Sequence, residues 1–180
     1  SLLISNSLIS SGQNFVTDSR KWNDLHYLVT TCNCNYLYET HSFFIDGDSI
    51  INEKNYKILK DSSYAQLSNG TIKKELTNNG FIREDLDAEQ IYFIPDGMDT
   101  EIKIYDFKLE VNDIFEIGVF NDNYIVTNVD SVMYLNTKRK EITLHCEIRN
   151  LTMKWISGIG SDKGLMYFVD SSENLLLCAT

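Results

Sequence analysis

The sequence predicts an all-β fold of propeller-type antiparallel blades, with a β-sandwich as the alternative. Three observations lead there. Alanine, the best helix former, occurs only at Ala65, Ala88 and Ala179, whereas isoleucine occurs 19 times, tyrosine 10 and phenylalanine 9. β-Branched and aromatic side chains suit a pleated, half-buried surface better than a helix. Short apolar runs alternate with stretches rich in the 17 asparagines and 16 serines, whose side chains favour turns. The third observation is a hairpin-like unit that returns along the chain.

Ser1–Arg20, rich in serine and asparagine, reads as an arm or an edge strand, and residues 21–180 as the propeller-like domain. Runs of strand length fall at Leu25–Thr30, Asn35–Tyr38, Ser42–Ile45, Tyr64–Leu67, Gln90–Ile94 and Glu101–Leu109. They continue at Ile114–Phe120, Tyr124–Asn128, Ser131–Leu135, Glu141–Ile148, Met153–Ile159, Leu165–Val169 and Asn174–Cys178. In Glu101–Leu109 the apolar alternation slips near Asp106, so a bulge or turn belongs there. Arg83–Gln90 is the one helix-like stretch, and with so few apolar residues it makes at most a short surface turn.

Length and composition set further bounds. A chain of 180 residues, 43% hydrophobic and 23% charged, fits one domain or part of one and is too apolar for disorder. Its net charge of −10 repels phosphate, which excludes direct nucleic-acid binding through a basic face. No apolar run is long enough for a transmembrane helix, so no membrane partner is expected. Ser1–Ser11 has no basic stretch ahead of its apolar residues and does not read as a secretory signal. Cys32, Cys34, Cys146 and Cys178 make no disulfide framework, and reduced thiols point to the cytoplasm or nucleus. Asn69-Gly-Thr71 and Asn150-Leu-Thr152 fit the glycosylation sequon and keep a secreted reading open.

The returning unit joins two apolar runs through a polar turn. Copies are His41–Ile51, Ser63–Ile72, Asn123–Tyr134 and Gly164–Leu177, and Asp46-Gly47 and Asn69-Gly70 are tight-turn signals within them. A further strand precedes each of the last two, at Asp113–Phe120 and Met153–Gly160. A spacing of roughly 40–50 residues is that of a propeller blade, a thin sheet that must stack to bury both faces. At that length the chain makes about four blades at most, so it reads either as part of a propeller or as one completed by another segment or chain.

Ile156-Ser-Gly-Ile-Gly-Ser-Asp-Lys-Gly-Leu-Met-Tyr-Phe-Val-Asp-Ser-Ser-Glu-Asn-Leu-Leu-Leu-Cys178 resembles the repeat of the regulator-of-chromosome-condensation propellers. Ile117–Tyr134 is similar, and His41–Asp48 is a shorter echo. The likeness covers about half of the chain. The family's Trp-Gly and Gly-Gln-Leu-Gly signatures are missing, and only nine glycines occur. The resemblance implies a rigid platform for partner proteins. It also brings a rival role, nucleotide exchange on a small GTPase, which would need a wedge; Phe81–Gly97 is the long irregular stretch that would serve.

Site chemistry is sparse. Cys32 and Cys34, with His26 and His41 nearby, are spaced by one residue where structural zinc wants two to four and a second pair. His145-Cys146 stands alone. Neither a metal nor a cofactor is expected. A Cys/His pair is weighed against inert core cysteine, and the core reading wins. Gly158-Ile-Gly160 lacks the rest of a phosphate loop and reads as a strand corner. The carboxylates Asp85, Asp87, Asp96, Asp99, Asp113 and Asp122 read as solvated turn residues. Two features are left as partner-binding candidates. Lys138-Arg139-Lys140 is the one basic cluster, placed on an exposed turn. Trp22 follows the polar arm, where an aromatic anchor or a core residue fits.

The expected function is non-catalytic: a scaffold or adaptor subunit that offers loops and blade faces to protein partners. The exchange factor is one alternative. A secreted or viral β-sandwich that binds a receptor or carbohydrate is the other.

Overall fold

The computed structural model describes residues 14–27, 36–67, 69–117, 122–166 and 174–179. They form twelve strands and no helix. In chain order these are β1 (Lys21–Tyr27), β2 (Tyr36–Ile51), β3 (Lys54–Leu67), β4 (Ile72–Asp85), β5 (Gln90–Pro95) and β6 (Ile102–Asp106). There follow β7 (Ile114–Ile117), β8 (Asp122–Tyr134), β9 (Thr137–Cys146), β10 (Leu151–Ile156), β11 (Gly160–Ser161) and β12 (Asn174–Ala179). The expected all-β class holds.

Every pairing is antiparallel. One sheet has seven strands in the order β12-β1-β2-β3-β4-β5-β6, and the other has five in the order β11-β10-β9-β8-β7. Apart from β12 beside β1, each neighbour in the sheets is a neighbour in the chain. Two antiparallel sheets over one core is how adjacent propeller blades meet, and how the layers of a sandwich meet.

Two expected turns are strand interior. At Asp46-Gly47 the chain does not reverse: β2 runs on to Ile51 and bulges between Ile45 and Asp48 against Leu59 and Lys57 of β3. Gly47 takes a φ of 116°, which suits a bulge as well as a turn. The reversal comes at Asn52-Glu53, both in the left-handed region. Likewise Asn123–Tyr134 is no hairpin but the single strand β8, bulged near Thr127, which turns at Leu135-Asn136. The Asn69-Gly70 turn does join β3 to β4, with Gln66 opposite Ile72. Within Gly164–Leu177, residues 167–173 lie outside the described residues, as do 1–13 of the proposed arm.

Phe81–Gly97 is not an irregular wedge. It is the paired end of β4, a turn over Leu86–Glu89, and β5. The phase slip near Asp106 is real: β5 and β6 shift register around Ile104, and β6 ends at Asp106.

One core serves both sheets. Trp22, Phe43, Leu59, Ile82, Ile91, Phe93 and Tyr105 come from the larger sheet, and Phe115, Tyr124, Ile142, Leu144, Met153 and Trp155 from the smaller. Trp155 meets the edges of Tyr105 and Phe115 at ring-centre distances of 5.1 and 4.8 Å. Phe15, ahead of β1, fills the space between Trp22 and Tyr105, at 5.3 Å from each. Such edge and tilted contacts suit the ring quadrupole.

Candidate functional site

Two features stand apart from this packing: a projecting sheet edge and a buried polar cluster. The edge arises because the strands differ in length. β4 is 14 residues long, yet β5 pairs with it only from Gly80 to Asp85. Gly80 sets that limit. Its φ is 139°, and a Cβ there would lie 2.1 Å from the Ile94 carbonyl oxygen, so only glycine lets β5 come this close. Before Gly80, β4 is the border of the sheet. Its first seven residues, Ile72–Asn78, are all exposed.

In register, Ile72 lies opposite Gln66, Lys74 opposite Tyr64 and Leu76 opposite Ser62, so these share one face. Ile72 is 51%, Leu76 64% and Tyr64 40% exposed, and the Lys74 ammonium lies 5.8 Å from the Tyr64 ring centre. The other face carries the Lys73–Glu75 ion pair at 2.5 Å. β8 is built similarly: β7 pairs only with Asp122–Ile125, and the far end carries exposed Met133 and Leu135. An unpaired strand border of this kind offers its main-chain N–H and C=O groups to another strand.

The basic cluster does not lie on a turn. Lys138-Arg139-Lys140 belongs to β9, whose alternation sends Arg139 to the face opposite that of Lys138 and Lys140. Lys138 is exposed. Arg139 is buried and donates to the Ser157 carbonyl at 2.8 Å. Lys140 bonds the Leu109 carbonyl at 2.9 Å and Glu110 at 3.0 Å. No joint basic patch results. Trp22 is also not a surface anchor: it is fully buried, and its indole N–H donates to the Ile159 carbonyl across the core at 2.8 Å. Cys32 and Cys34 lie outside the described residues, as does the side chain of His26, while Cys146 is a free core thiol. Gly158 and Gly160 make the expected corner, with φ of 72° and 122°. Among the described residues, no group of three or more His, Cys, Asp and Glu side chains is placed to hold a metal ion.

The buried cluster escapes sequence reasoning because strand register alone assembles it. Asp24 on β1 lies opposite His41 on β2, and Asp61 on β3 lies opposite Phe43, two residues along the same face. The His41 Nδ1 and Asp61 Oδ2 are 2.5 Å apart. Burial alone would lower the His41 pKa, but the bond and charge of Asp61, with help from Glu39, raise it. Asp24 is fully buried, and one of its oxygens accepts the Leu165 N–H at 2.9 Å. Burial pushes the Asp24 carboxyl up to about 7.

A third cluster is a clasp. Glu101 accepts a paired contact from Arg83, at 2.5 and 2.9 Å, together with the Tyr56 hydroxyl and Lys54. Burial acts to raise its carboxyl, yet these donors outweigh it and hold the pKa down to about 2. The Arg83 guanidinium also lies 4.0 Å from the Tyr92 ring centre. With all its partners taken, the clasp is structural. Beside it runs a shallow groove of about 180 Å³ lined by Asn14, Val16, Tyr56, Arg83, Glu84 and Leu86.

No family model matches this chain, and no curated protein or solved structure matches it either. The likeness to regulator-of-chromosome-condensation repeats therefore rests on the residues quoted above. No helix of the described residues is long and apolar enough to cross a membrane.

Proposed function

We propose that the chain is a non-catalytic protein-interaction module, a scaffold or adaptor subunit that binds an extended segment of a partner protein along the free border of β4. The observation that carries this reading is Ile72–Asn78: seven exposed residues with no strand on their outer side among the described residues, and Tyr64, Ile72 and Leu76 together on one face. A partner strand would take its affinity from main-chain hydrogen bonds and its specificity from side chains beside Ile72 and Leu76. Four strands, β3, β2, β1 and β12, brace this border from behind, so little order is lost on binding. A cytoplasmic or nuclear setting goes with this reading, supported by the free Cys146 thiol.

The test compares two baits in a pull-down from extract, the native chain and a Tyr64→Ser/Ile72→Lys/Leu76→Lys variant with unchanged melting temperature. A partner held by the first and lost by the second is expected. The same retained set on both baits would refute it.

The secreted receptor- or carbohydrate-binding sandwich is the second reading, and one observation favours it. Asn69 and Asn150 both lie at exposed turns, where a glycan has room. Glycosidase-sensitive mass on chain expressed through a secretory pathway, lost in Asn69→Gln/Asn150→Gln, would show that both sequons can be read. Unmodified asparagines would count against it.

A further inference from the structure

The binding reading leaves the cluster around Asp24 unused. Asp24 and Asp61 are each at least nine-tenths buried, and the Oδ1 of each has no hydrogen-bond donor among the described residues. Buried carboxylate oxygens without donors are costly, and the cost falls on the charged form. The other Asp24 oxygen holds the Leu165 N–H, 141 positions away in the chain. That bond joins β1 of the larger sheet to the segment after β11 of the smaller one. The Leu165 carbonyl is held from the same side by the Tyr105 hydroxyl at 3.0 Å.

From this geometry we infer that Asp24, His41 and Asp61 form a proton-operated latch, closed on the Leu165 segment in acid and opened by the loss of protons. With a proton on its free oxygen, Asp24 is neutral and still accepts the Leu165 N–H. When that proton leaves for solvent, a full charge remains in the core with one oxygen unsolvated. Parting β1 from the 161–166 segment admits water and relieves that cost.

The groups facing this site act together. His41 on β2 offers positive charge while protonated, and Asp61 on β3 offers negative charge. Glu39 on β2 lies 3.6 Å from the His41 Nε2, and Tyr105 on β6 and Asp162 after β11 complete the surroundings. Acid closure follows from both titrations. The Asp24 carboxyl is raised in the fold, so the stability it lends is present in acid and is lost as pH rises from its ordinary value towards about 7. His41 is raised as well, so its contribution is lost as pH rises above its ordinary range. At alkaline pH Asp24 is charged and the His41 imidazole is neutral.

Amide hydrogen exchange at Leu165 in the whole chain reads the latch. Between pH 5.5 and pH 8.5, after correction for intrinsic exchange, protection at Leu165 is expected to fall by at least about tenfold, the equivalent of one pKa unit. Amides in the middle of β9 should change far less. In Asp24→Asn, which keeps an acceptor for Leu165 and cannot ionise, the fall should shrink below about twofold. Equal falls in both proteins, or none in the native chain, would overturn the latch. If Asp24→Asn does not fold, His41→Gln takes its place: it removes the cation that favours ionised Asp24, so opening should move to higher pH. An unmoved midpoint there would overturn the latch equally. Because none of these substitutions touches the β4 border, failure here is separable from failure of the binding reading.

Discussion

At the joint between the two sheets, Trp22, Tyr105 and Trp155 are fully buried, and polar atoms of Trp22 and Tyr105 reach backbone carbonyls on the opposite side. At the end of the β3–β4 hairpin, Tyr64, Ile72 and Leu76 stand 40–64% exposed, where β4 has no outer neighbour among the described residues. The residue types are alike. What differs is that the joint brings together residues more than 130 positions apart, such as Trp22 and Ile159, while the hairpin end pairs residues only a few turns apart. Aromatic and β-branched residues thus serve cohesion in one place and availability in the other, and strand length decides which.

Substitutions sharpen this contrast. The largest effect belongs to the joint: Trp155→Ala should cost about 3–5 kcal/mol in denaturant unfolding, and a loss below about 1 kcal/mol would mean that the sheets do not depend on each other. Gly80→Ala comes next, since the new Cβ meets the Ile94 carbonyl in a conformation that only glycine takes easily. About 2–4 kcal/mol is expected, by analogy with strained backbone sites, together with faster amide exchange in β5.

Glu101→Gln removes the charge that holds Arg83 and should cost about 1–2 kcal/mol. Its acid dependence has a definite sign. The Glu101 carboxyl is lowered to about 2, so its contribution is present above the ordinary carboxylate range and fades as pH falls towards 2. Acid melts should show that loss in the native chain and less of it in the variant. The smallest effect belongs to the border: Leu76→Ser should change stability by less than about 0.5 kcal/mol, as circular-dichroism melts will check. A large loss would show that the border is packed rather than free.

The β class was legible because the scarcity of alanine and the wealth of isoleucine act locally. So were the Asn69-Gly70 turn, the Gly158–Gly160 corner and the slip near Asp106, each governed by backbone preferences of a few residues. Asp46-Gly47 misled because its glycine conformation serves a bulge and a turn equally, and the choice was made by Lys57 and Leu59 on the next strand. Lys138–Lys140 misled because a strand, unlike a turn, sends neighbouring side chains to opposite faces. The Asp24–His41–Asp61 cluster gave no sequence signal at all, since its members meet only through the register of three strands.

The pairing of β1 with β12 sets Trp22 beside Ala179. A ribosome adding roughly 5–20 residues per second delivers the second partner about ten to thirty seconds after the first. For that interval one side of β1 waits uncovered while the strands between are being made. Synthesis therefore passes through a vulnerable period in which the nascent chain invites association with its siblings. Slowing translation should lower the yield, and a holding chaperone should restore it.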